Sequence, residues 1–268
     1  METWVIANQK GGVGKTTTTI TLGALLASRG KRVLLIDLDP HGSLTAYLKI
    51  DPDGVEKSVY DVFLSDIPIL GNSHETGVAN LYILPASPAL ATLDRQFGTR
   101  QGAGTNLKKA LSRLETDIDY VLVDCPPTLG ILMINALAAA DFLIIPVQTE
   151  FLALKGLERM MRTLAMVTQA RKNKIPSLIV PGLYDRRTRA SRDALEVLQA
   201  TYTDELWDLV IPIDTQFRDA SKHGVPLTQL NRHARGAVAF ESLLETILEM
   251  RGDDLQRGHT EIGRALSL

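Results

Sequence analysis

The stretch KGGVGKTT at residues 10–17 decides the fold of this chain. It follows an apolar run at residues 4–7 and opens a helical pattern at residues 15–29, so we predict that it joins a strand to a helix. Glycines at such a junction let successive backbone N–H groups point inward, and the helix N-terminus adds the positive end of its dipole. The stretch therefore predicts a phosphate-binding loop formed by Lys10, Gly11, Gly12, Val13, Gly14, Lys15, Thr16 and Thr17.

This loop departs from the common pattern G-x-x-x-x-G-K-[ST], because Gln9 stands where the first glycine is usual. A second lysine, Lys10, lies inside the loop instead. Lys15 has the spacing that reaches the β- and γ-phosphates of a nucleotide, and the Thr16 hydroxyl is suited to binding Mg²⁺.

Two acidic motifs follow predicted strands. Asp37 and Asp39 come after the apolar run at residues 33–36, and Asp124 comes after the run at residues 120–123. Ligands of open α/β sheets bind outside the carboxyl ends of the strands, where carboxylates hold Mg²⁺ or position an attacking water. We interpret His41 as a solvated or hydrogen-bonding turn residue, and Cys125 as a buried small residue that is not a nucleophile.

Apolar runs alternate with helical patterns along the whole chain. Runs without polar alternation are typical of strands that are buried on both faces of a parallel sheet. We predict strands at residues 4–7, 33–36, 81–84, 120–123, 142–146, 178–181 and 209–211. Helices are predicted at residues 15–29, 106–115, 152–171, 191–201 and 237–250, the last with Val238, Leu243, Leu244, Ile247 and Leu248 on one face. This alternation predicts a doubly wound α/β fold, a mostly parallel sheet with helices on both faces, in a single domain over residues 1–268.

The composition narrows the class of protein. Of 268 residues, 29 are Lys or Arg and 31 are Asp or Glu, and 45% are hydrophobic, which excludes disorder as the main state. The near-neutral balance argues against a protein that coats nucleic acid with its whole surface. One cysteine excludes a disulfide framework and a multi-cysteine zinc site. No apolar run reaches the length of a membrane span, and residues 264–268 are too short for a membrane-surface helix, so we expect a cytoplasmic protein without a membrane partner.

Taken together, the motifs resemble the ParA/MinD family of deviant Walker A ATPases. The matching segments are residues 10–17, 37–42, 121–127, 129–137 and 145–150, with weaker matches as far as residue 237. The Soj/ParA branch is closer than MinD, because MinD-like proteins end in an amphipathic membrane-binding helix that this sequence does not show.

The resemblance implies a slow, Mg²⁺-dependent ATPase that binds ATP and ADP and forms a homodimer around ATP. Lys10 would touch the phosphates of the partner subunit, and Lys15 those of its own nucleotide. Thr16 would bind Mg²⁺ directly, while Asp37 and Asp124 hold its water ligands. Asp39 would orient the hydrolytic water, which makes Lys10, Lys15 and Asp39 the catalytic set. The adenine is expected near Pro212, Ile213 and Asp214.

For the Soj/ParA branch, the resemblance further implies non-specific binding of duplex DNA by the ATP dimer, a ParB-type activator and a nucleoid location. Phosphate contacts of this kind are insensitive to sequence and weakened by salt. Candidate DNA-binding residues are Arg218, at the position of the branch's DNA-contacting arginine, and Arg189, Arg192, Lys222 and Arg235. The alternative is that these are ordinary solvated charges on helix faces.

Other functions stay open at this point. His41 replaces the usual glutamine and Lys155 the usual acid, and the form Asp-Pro-His-Gly-Ser resembles ParA-like ATPases of polar chemotaxis and flagellar clusters. The cargo would then be a polar protein array with its own adaptor. A metabolic ligase on the same scaffold is a second alternative. A nucleotide-gated scaffold that does not hydrolyse ATP is a third, against which Asp39 counts.

Overall fold

A computed structural model describes residues 1–64, 68–97, 102–114, 118–171 and 173–252 of the chain. Its sheet has the strand order β3-β4-β2-β5-β1-β6-β7, and only the edge pair β3–β4 is antiparallel. The strands are β1 Glu2–Ile6, β2 Val33–Asp37, β3 His74–Glu75, β4 Leu81–Leu84, β5 Tyr120–Asp124, β6 Phe142–Gln148 and β7 Ser177–Gly182.

Helices connect the strands and cover both faces of the sheet. They are α1 Lys15–Ser28, α2 Ser43–Tyr47, α3 Val59–Leu64, α4 Leu93–Phe97, α5 Asn106–Leu111, α6 Ile131–Ala139, α7 Phe151–Arg171, α8 Arg189–Thr201, α9 Gln216–His223, α10 Leu227–Leu230 and α11 Arg235–Met250. Short 3₁₀ turns lie at Ile69–Asn72, Pro88–Thr92 and Ala103–Thr105. None of the helices in the described ranges is long and apolar enough to cross a membrane.

The two hydrophobic cores follow from the alternation of side chains along the buried strands. In β1, Trp4 and Ile6 pack with α1 and α11 on one face, whereas Val5 joins α6 and α7 on the other. Because every residue of β2 and β5 is buried, these strands need no polar alternation. The predicted doubly wound fold is therefore confirmed.

The strand predicted at residues 209–211 is wrong. Leu209 is exposed, and the pairing near this segment is limited to an isolated bridge between Pro212 and Tyr184, which follows β7. The Ile211 N–H donates to the carbonyl of Pro181 at 2.8 Å and the Tyr184 N–H to the carbonyl of Ile211 at 3.1 Å, so the contact begins only at the last residue of the predicted strand. The edge strand β3 was not predicted, because its two residues are exposed and carry no apolar pattern.

Helix boundaries agree with the prediction to within a few residues, with one correction to a helix face. In α11, Leu243, Leu244, Ile247 and Leu248 are buried as predicted, but Val238 is 52% exposed. Val238 lies six residues before Leu244 and is thus turned about 240° around the helix axis from it. The predicted end of the helix at residue 115 and the segment at residues 264–268 lie outside the described residues.

Candidate nucleotide-binding site

Sheet order brings the acidic motifs to one place. In the register of the parallel strands, Asp37 at the end of β2 lies beside Asp124 at the end of β5, and Ile6 at the end of β1 lies on the other side of Asp124. The loop at residues 10–17 leaves the same edge of the sheet. Residues that are more than a hundred positions apart in sequence therefore share one site.

The loop takes a conformation that its glycines permit. Gly12 and Gly14 have φ angles of 75° and 92°, in the left-handed region that L side chains rarely adopt. Gly14 caps the N-terminus of α1, and its carbonyl accepts the Thr18 N–H at 2.8 Å. Val13 is buried and anchors the loop, whereas Gly11 and Gly12 are exposed. The arrangement leaves the start of α1 open to an anion.

Lys15 is held within the loop. Its side chain is buried, and Nζ donates a hydrogen bond to the Lys10 carbonyl at 3.1 Å. Burial lowers the pKa of Lys15, while the neighbouring Asp124 carboxylate acts in the opposite direction. An ammonium in this position is poorly solvated, so phosphate oxygens are a strong alternative partner for it.

Thr16 and Asp124 form a direct pair. The Thr16 hydroxyl donates to Oδ2 of Asp124 at 2.6 Å, and the other carboxylate oxygen, Oδ1, is buried without a hydrogen-bond partner among the described residues. Burial, followed by the charge of Asp37, raises the pKa of Asp124 to about 8. An unpartnered carboxylate oxygen beside a hydroxyl, with a second carboxylate adjacent, fits the all-oxygen donor set that Mg²⁺ requires.

Asp37 is engaged differently. Its Oδ2 accepts the backbone N–H of Thr45 at 2.9 Å and the Thr45 hydroxyl at 2.7 Å, and its Oδ1 accepts the Asp39 N–H at 3.1 Å. Burial is the main reason that the pKa of Asp37 is raised to about 6. The sequence did not single out Thr45, and its only signal is that a carboxylate at a buried strand end needs nearby donors.

Asp39 and His41 form a pair at the mouth of the site. Oδ1 of Asp39 accepts the backbone N–H of His41 at 3.0 Å and lies 2.8 Å from the imidazole Nδ1 of the same residue. The Asp39 side chain is 14% exposed and that of His41 is 82% exposed. Asp39 is thus accessible enough to meet a water molecule, yet it is held in one orientation by its neighbour.

Lys10 is paired within its own chain. Its Nζ forms an ion pair with Glu150, which follows β6, and the preceding Gln9 donates to the Thr163 hydroxyl at 2.6 Å. Helix α7 approaches closely at Gly156, where an added Cβ would lie 3.1 Å from Cβ of Lys10. Glu150 was not among the site residues predicted from the sequence, although its place at the end of the strand next to β1 is a usable signal.

A groove of about 760 Å³ contains the residues predicted to meet adenine. Pro212, Ile213 and Asp214 line it, together with Tyr184 and Arg235. The Asp214 carboxylate accepts the N–H groups of Gln216 at 3.0 Å and Gly236 at 3.1 Å, and so joins the starts of α9 and α11. Asp214 therefore connects the lining of this groove to two helices.

The five predicted DNA-binding residues are all exposed, on three helices. Arg189 pairs with Asp193 at 3.3 Å, Arg192 donates to the carbonyl of Arg186 at 2.8 Å, and Arg235 donates to the carbonyl of Ile213 at 3.3 Å. Lys222 lies one turn after Arg218 on α9.

Arg218 differs from the other arginines of this set. Asp214, a candidate partner, binds backbone N–H groups instead, and no ion pair of Arg218 is found in the described part of the chain. Arg218 is exposed on α9.

Comparison with known proteins agrees with this geometry. A profile of the AAA domain family matches residues 1–177. The sporulation initiation inhibitor protein Soj of Bacillus subtilis is 38% identical over 246 residues, which are 90% of this chain and 96% of that protein. The chromosome partitioning protein ParA of Caulobacter vibrioides is 36% identical over 254 residues, which cover 92% of this chain and 94% of that protein.

A solved structure is similar at the level of the fold and the sequence. It is described as cobyrinic acid a,c-diamide synthase from Mycobacterium smegmatis with bound ADP and magnesium. It is 37% identical to this chain with a TM-score of 0.80, and the match covers 92% of this chain and 94% of that one. The resemblance seen in the sequence motifs is confirmed by these relatives.

Proposed function

This chain belongs to the ParA/Soj family of ATPases, and from that membership we propose that it is a switch that dimerises around ATP and hydrolyses it slowly with Mg²⁺. The observation that carries the proposal is the loop with two lysines, of which Lys15 lies inside the loop and Lys10 projects away from it to Glu150. One lysine suffices for the loop's own phosphates, so Lys10 is available for those of a partner subunit.

Each residue of the site then has a task. The N–H groups of residues 11–16 bind phosphate oxygens, and Lys15 neutralises their charge. Thr16 and Asp124 would hold Mg²⁺, with Asp37 in contact with its waters, and the ion would supply charge neutralisation at the phosphates. Asp39 orients the hydrolytic water with the oxygen that His41 does not occupy.

Adenine is proposed to bind in the groove at Pro212, Ile213 and Asp214. Its support is position, since these residues line a groove that Arg235 also lines, and Asp214 accepts the Gly236 N–H at the start of α11. A bound nucleotide would therefore lie near the starts of α9 and α11, the helices that carry Arg218 and Arg235.

The cargo that we propose is DNA, as in chromosome or plasmid partition, with a ParB-type activator and a nucleoid location. Support comes from relatives described as chromosome partitioning proteins and from the exposed side chain of Arg218. A polar protein array remains the alternative that His41 suggests. The decisive observation is whether the ATP dimer binds duplex DNA at low salt.

A second candidate is an amide-forming ligase, since a similar structure carries the name of a diamide synthase. A ligase of this kind consumes ATP only as it converts its carboxylate substrate. ATP hydrolysis in the absence of any small carboxylate, stimulated by DNA or a protein, would exclude that activity for this chain.

The test of the proposed function is Asp39→Ala, with Asp53→Ala as a matched control on an exposed acid far from the loop in sequence. Asp39→Ala is expected to lose hydrolysis, while size-exclusion chromatography with ATP and Mg²⁺ shows a dimer. Asp53→Ala is expected to hydrolyse ATP like the wild type. A monomeric Asp39→Ala protein at saturating ATP, or one that still hydrolyses ATP, would contradict the proposal.

A further inference from the structure

Two donors of one residue meet the same oxygen of Asp39. The backbone N–H of His41 and its imidazole Nδ1 lie 3.0 and 2.8 Å from Oδ1. A carboxylate oxygen accepts hydrogen bonds, so in this contact Nδ1 of the imidazole acts as the donor when it carries a proton. The described residues give the second oxygen, Oδ2, no hydrogen-bond donor.

This arrangement restricts the carboxylate more than a single bond would. With one donor, the Asp39 side chain retains freedom to rotate about its terminal bond, because that torsion is broad. With two donors on Oδ1, the rotation of the carboxylate is restrained further, and Oδ2 keeps its acceptor sites for another partner. The Asp39 side chain is partly exposed, as it must be for one of its oxygens to accept a hydrogen bond from water.

The histidine is not required to hold the turn together. The turn is closed by the backbone, where the Gly42 N–H donates to the Asp39 carbonyl at 2.8 Å. Helix α2 is fixed at its start by the bonds from Thr45 to Asp37. The imidazole of His41 is almost fully solvated apart from its contact with Asp39, so folding energy does not explain that contact.

We propose that His41 is a positioning residue for ATP hydrolysis, which holds Asp39 so that Oδ2 faces the attacking water. This inference rests on the proposed function, and it assigns a task to a residue that the sequence analysis treated as an ordinary turn histidine. His41 does not touch the phosphate or the water itself. It acts through Asp39, and its removal affects turnover without affecting nucleotide affinity.

The experiment compares His41→Ala, His41→Asn and Ser43→Ala at saturating ATP and Mg²⁺. Asparagine places an amide N–H at the same number of bonds from the backbone as Nδ1, so it restores the lost donor, whereas alanine keeps only the backbone N–H. Ser43 is exposed in the same turn and has no side-chain hydrogen bond among the described residues, which makes it a matched control. Thermal unfolding of all three variants reports on the fold.

His41→Ala is expected to lower kcat about five-fold, the effect of one ordinary hydrogen bond. The KM for ATP and the ATP-dependent dimerisation are expected to be unchanged. His41→Asn is expected to recover most of the kcat, and Ser43→Ala to match the wild type. A wild-type kcat for His41→Ala overturns the proposal, as does a parallel change in KM or an asparagine variant that behaves like alanine. If Asp39→Ala itself still hydrolyses ATP, the proposed function fails instead.

Discussion

The phosphate-binding end and the basic helical surface of this chain are held in different ways. The phosphate-binding end comprises Lys10, Lys15, Thr16, Asp37, Thr45, Asp124 and Glu150, and the basic surface comprises the exposed side chains of Arg189, Arg192, Arg218, Lys222 and Arg235. At the first, Thr16 bonds to Asp124 across 108 positions of sequence, and Lys10 to Glu150 across 140. At the second, Arg189 pairs with Asp193 within one helical turn.

This difference sets what a substitution does. A residue at the phosphate-binding end is buried, or paired to a distant strand, so its loss leaves a partner without a bond and changes several properties together. A residue of the basic surface is solvated, so its loss is expected to change only the binding of a partner to that surface. Substitutions at the two regions are therefore expected to differ in how many properties they change together.

The first prediction concerns Lys10. Lys10→Ala is expected to abolish the ATP-dependent dimer, because the lysine that we assign to the partner's phosphates is gone, while ATP still binds through Lys15. Glu150→Gln is the matched variant, because it releases Lys10 without removing it. The ion pair is partly exposed and contributes about 0–1 kcal/mol, so Glu150→Gln is expected to favour the dimer by at most about five-fold.

Sedimentation at several protein concentrations with a non-hydrolysable ATP analogue measures both variants. A dimer of normal affinity in Lys10→Ala would show that the second lysine serves its own nucleotide. A weaker dimer in Glu150→Gln would show that Glu150 is part of the interface, and that its contact with Lys10 is not a restraint that dimerisation has to break.

The same difference explains what could be predicted from the sequence. The loop at residues 10–17 and the strand ends at Asp37 and Asp124 were predictable, because strand order alone brings them to one edge of the sheet. The pairings of Glu150 with Lys10 and of Thr45 with Asp37 were not, because a pairing depends on which side chains meet after folding. Arg218 was predicted from a family position alone, since exposure gives no pattern that identifies a ligand.

The short strands show a similar limit. Residues 209–211 carry an apolar pattern, but of these three residues only Ile211 reaches the sheet, through hydrogen bonds with Pro181 and Tyr184. A local sequence pattern does not predict which strand a segment will pair with in the sheet. By contrast, β1, β2 and β5 are central, and their continuous apolar runs are sufficient to define them.

The second prediction uses the raised pKa of Asp124 in the nucleotide-free protein. The folded chain keeps a proton on this carboxyl up to a pH of about 8, whereas the unfolded chain releases it near its ordinary pKa of 3.8. The folded state thus binds more protons between these values, and its free energy of unfolding falls as pH rises through this window. Asp124→Asn does not titrate at this position, so between about pH 5 and 8 its free energy of unfolding is expected to fall less than that of the wild type, by roughly 4 kcal/mol.

Urea unfolding at several pH values measures this slope, and Asp53→Asn, an exposed acid, serves as the control. Addition of ATP and Mg²⁺ is expected to stabilise the wild type more than Asp124→Asn, because the variant has lost the carboxylate that we assign to the ion. Identical slopes for the wild type and Asp124→Asn would show that burial of this carboxyl has no cost in solution, and that the site is hydrated when empty.

The third prediction concerns Arg218, whose effect is the smallest and the most specific. If the ATP dimer binds duplex DNA by neutralising about four to six phosphates, the log–log slope of affinity against salt is roughly −4 to −5. Arg218→Ala is expected to make this slope shallower by about 1 for each Arg218 that faces the DNA, and to weaken binding to all sequences equally, since a phosphate contact carries no base information.

ATP hydrolysis and the dimer are expected to survive in Arg218→Ala, because the exposed side chain contributes no bond to the phosphate-binding end. The matched control is Arg162→Ala on α7, which removes an arginine of similar exposure from a helix outside the basic surface. Filter binding at several salt concentrations distinguishes the cases. An equal change of slope in both variants would mean that DNA binding depends only on the net charge of the protein. Joint loss of ATPase activity and DNA binding in Arg218→Ala would mean that Arg218 is needed for the fold of α9, and would remove the contrast between the two regions.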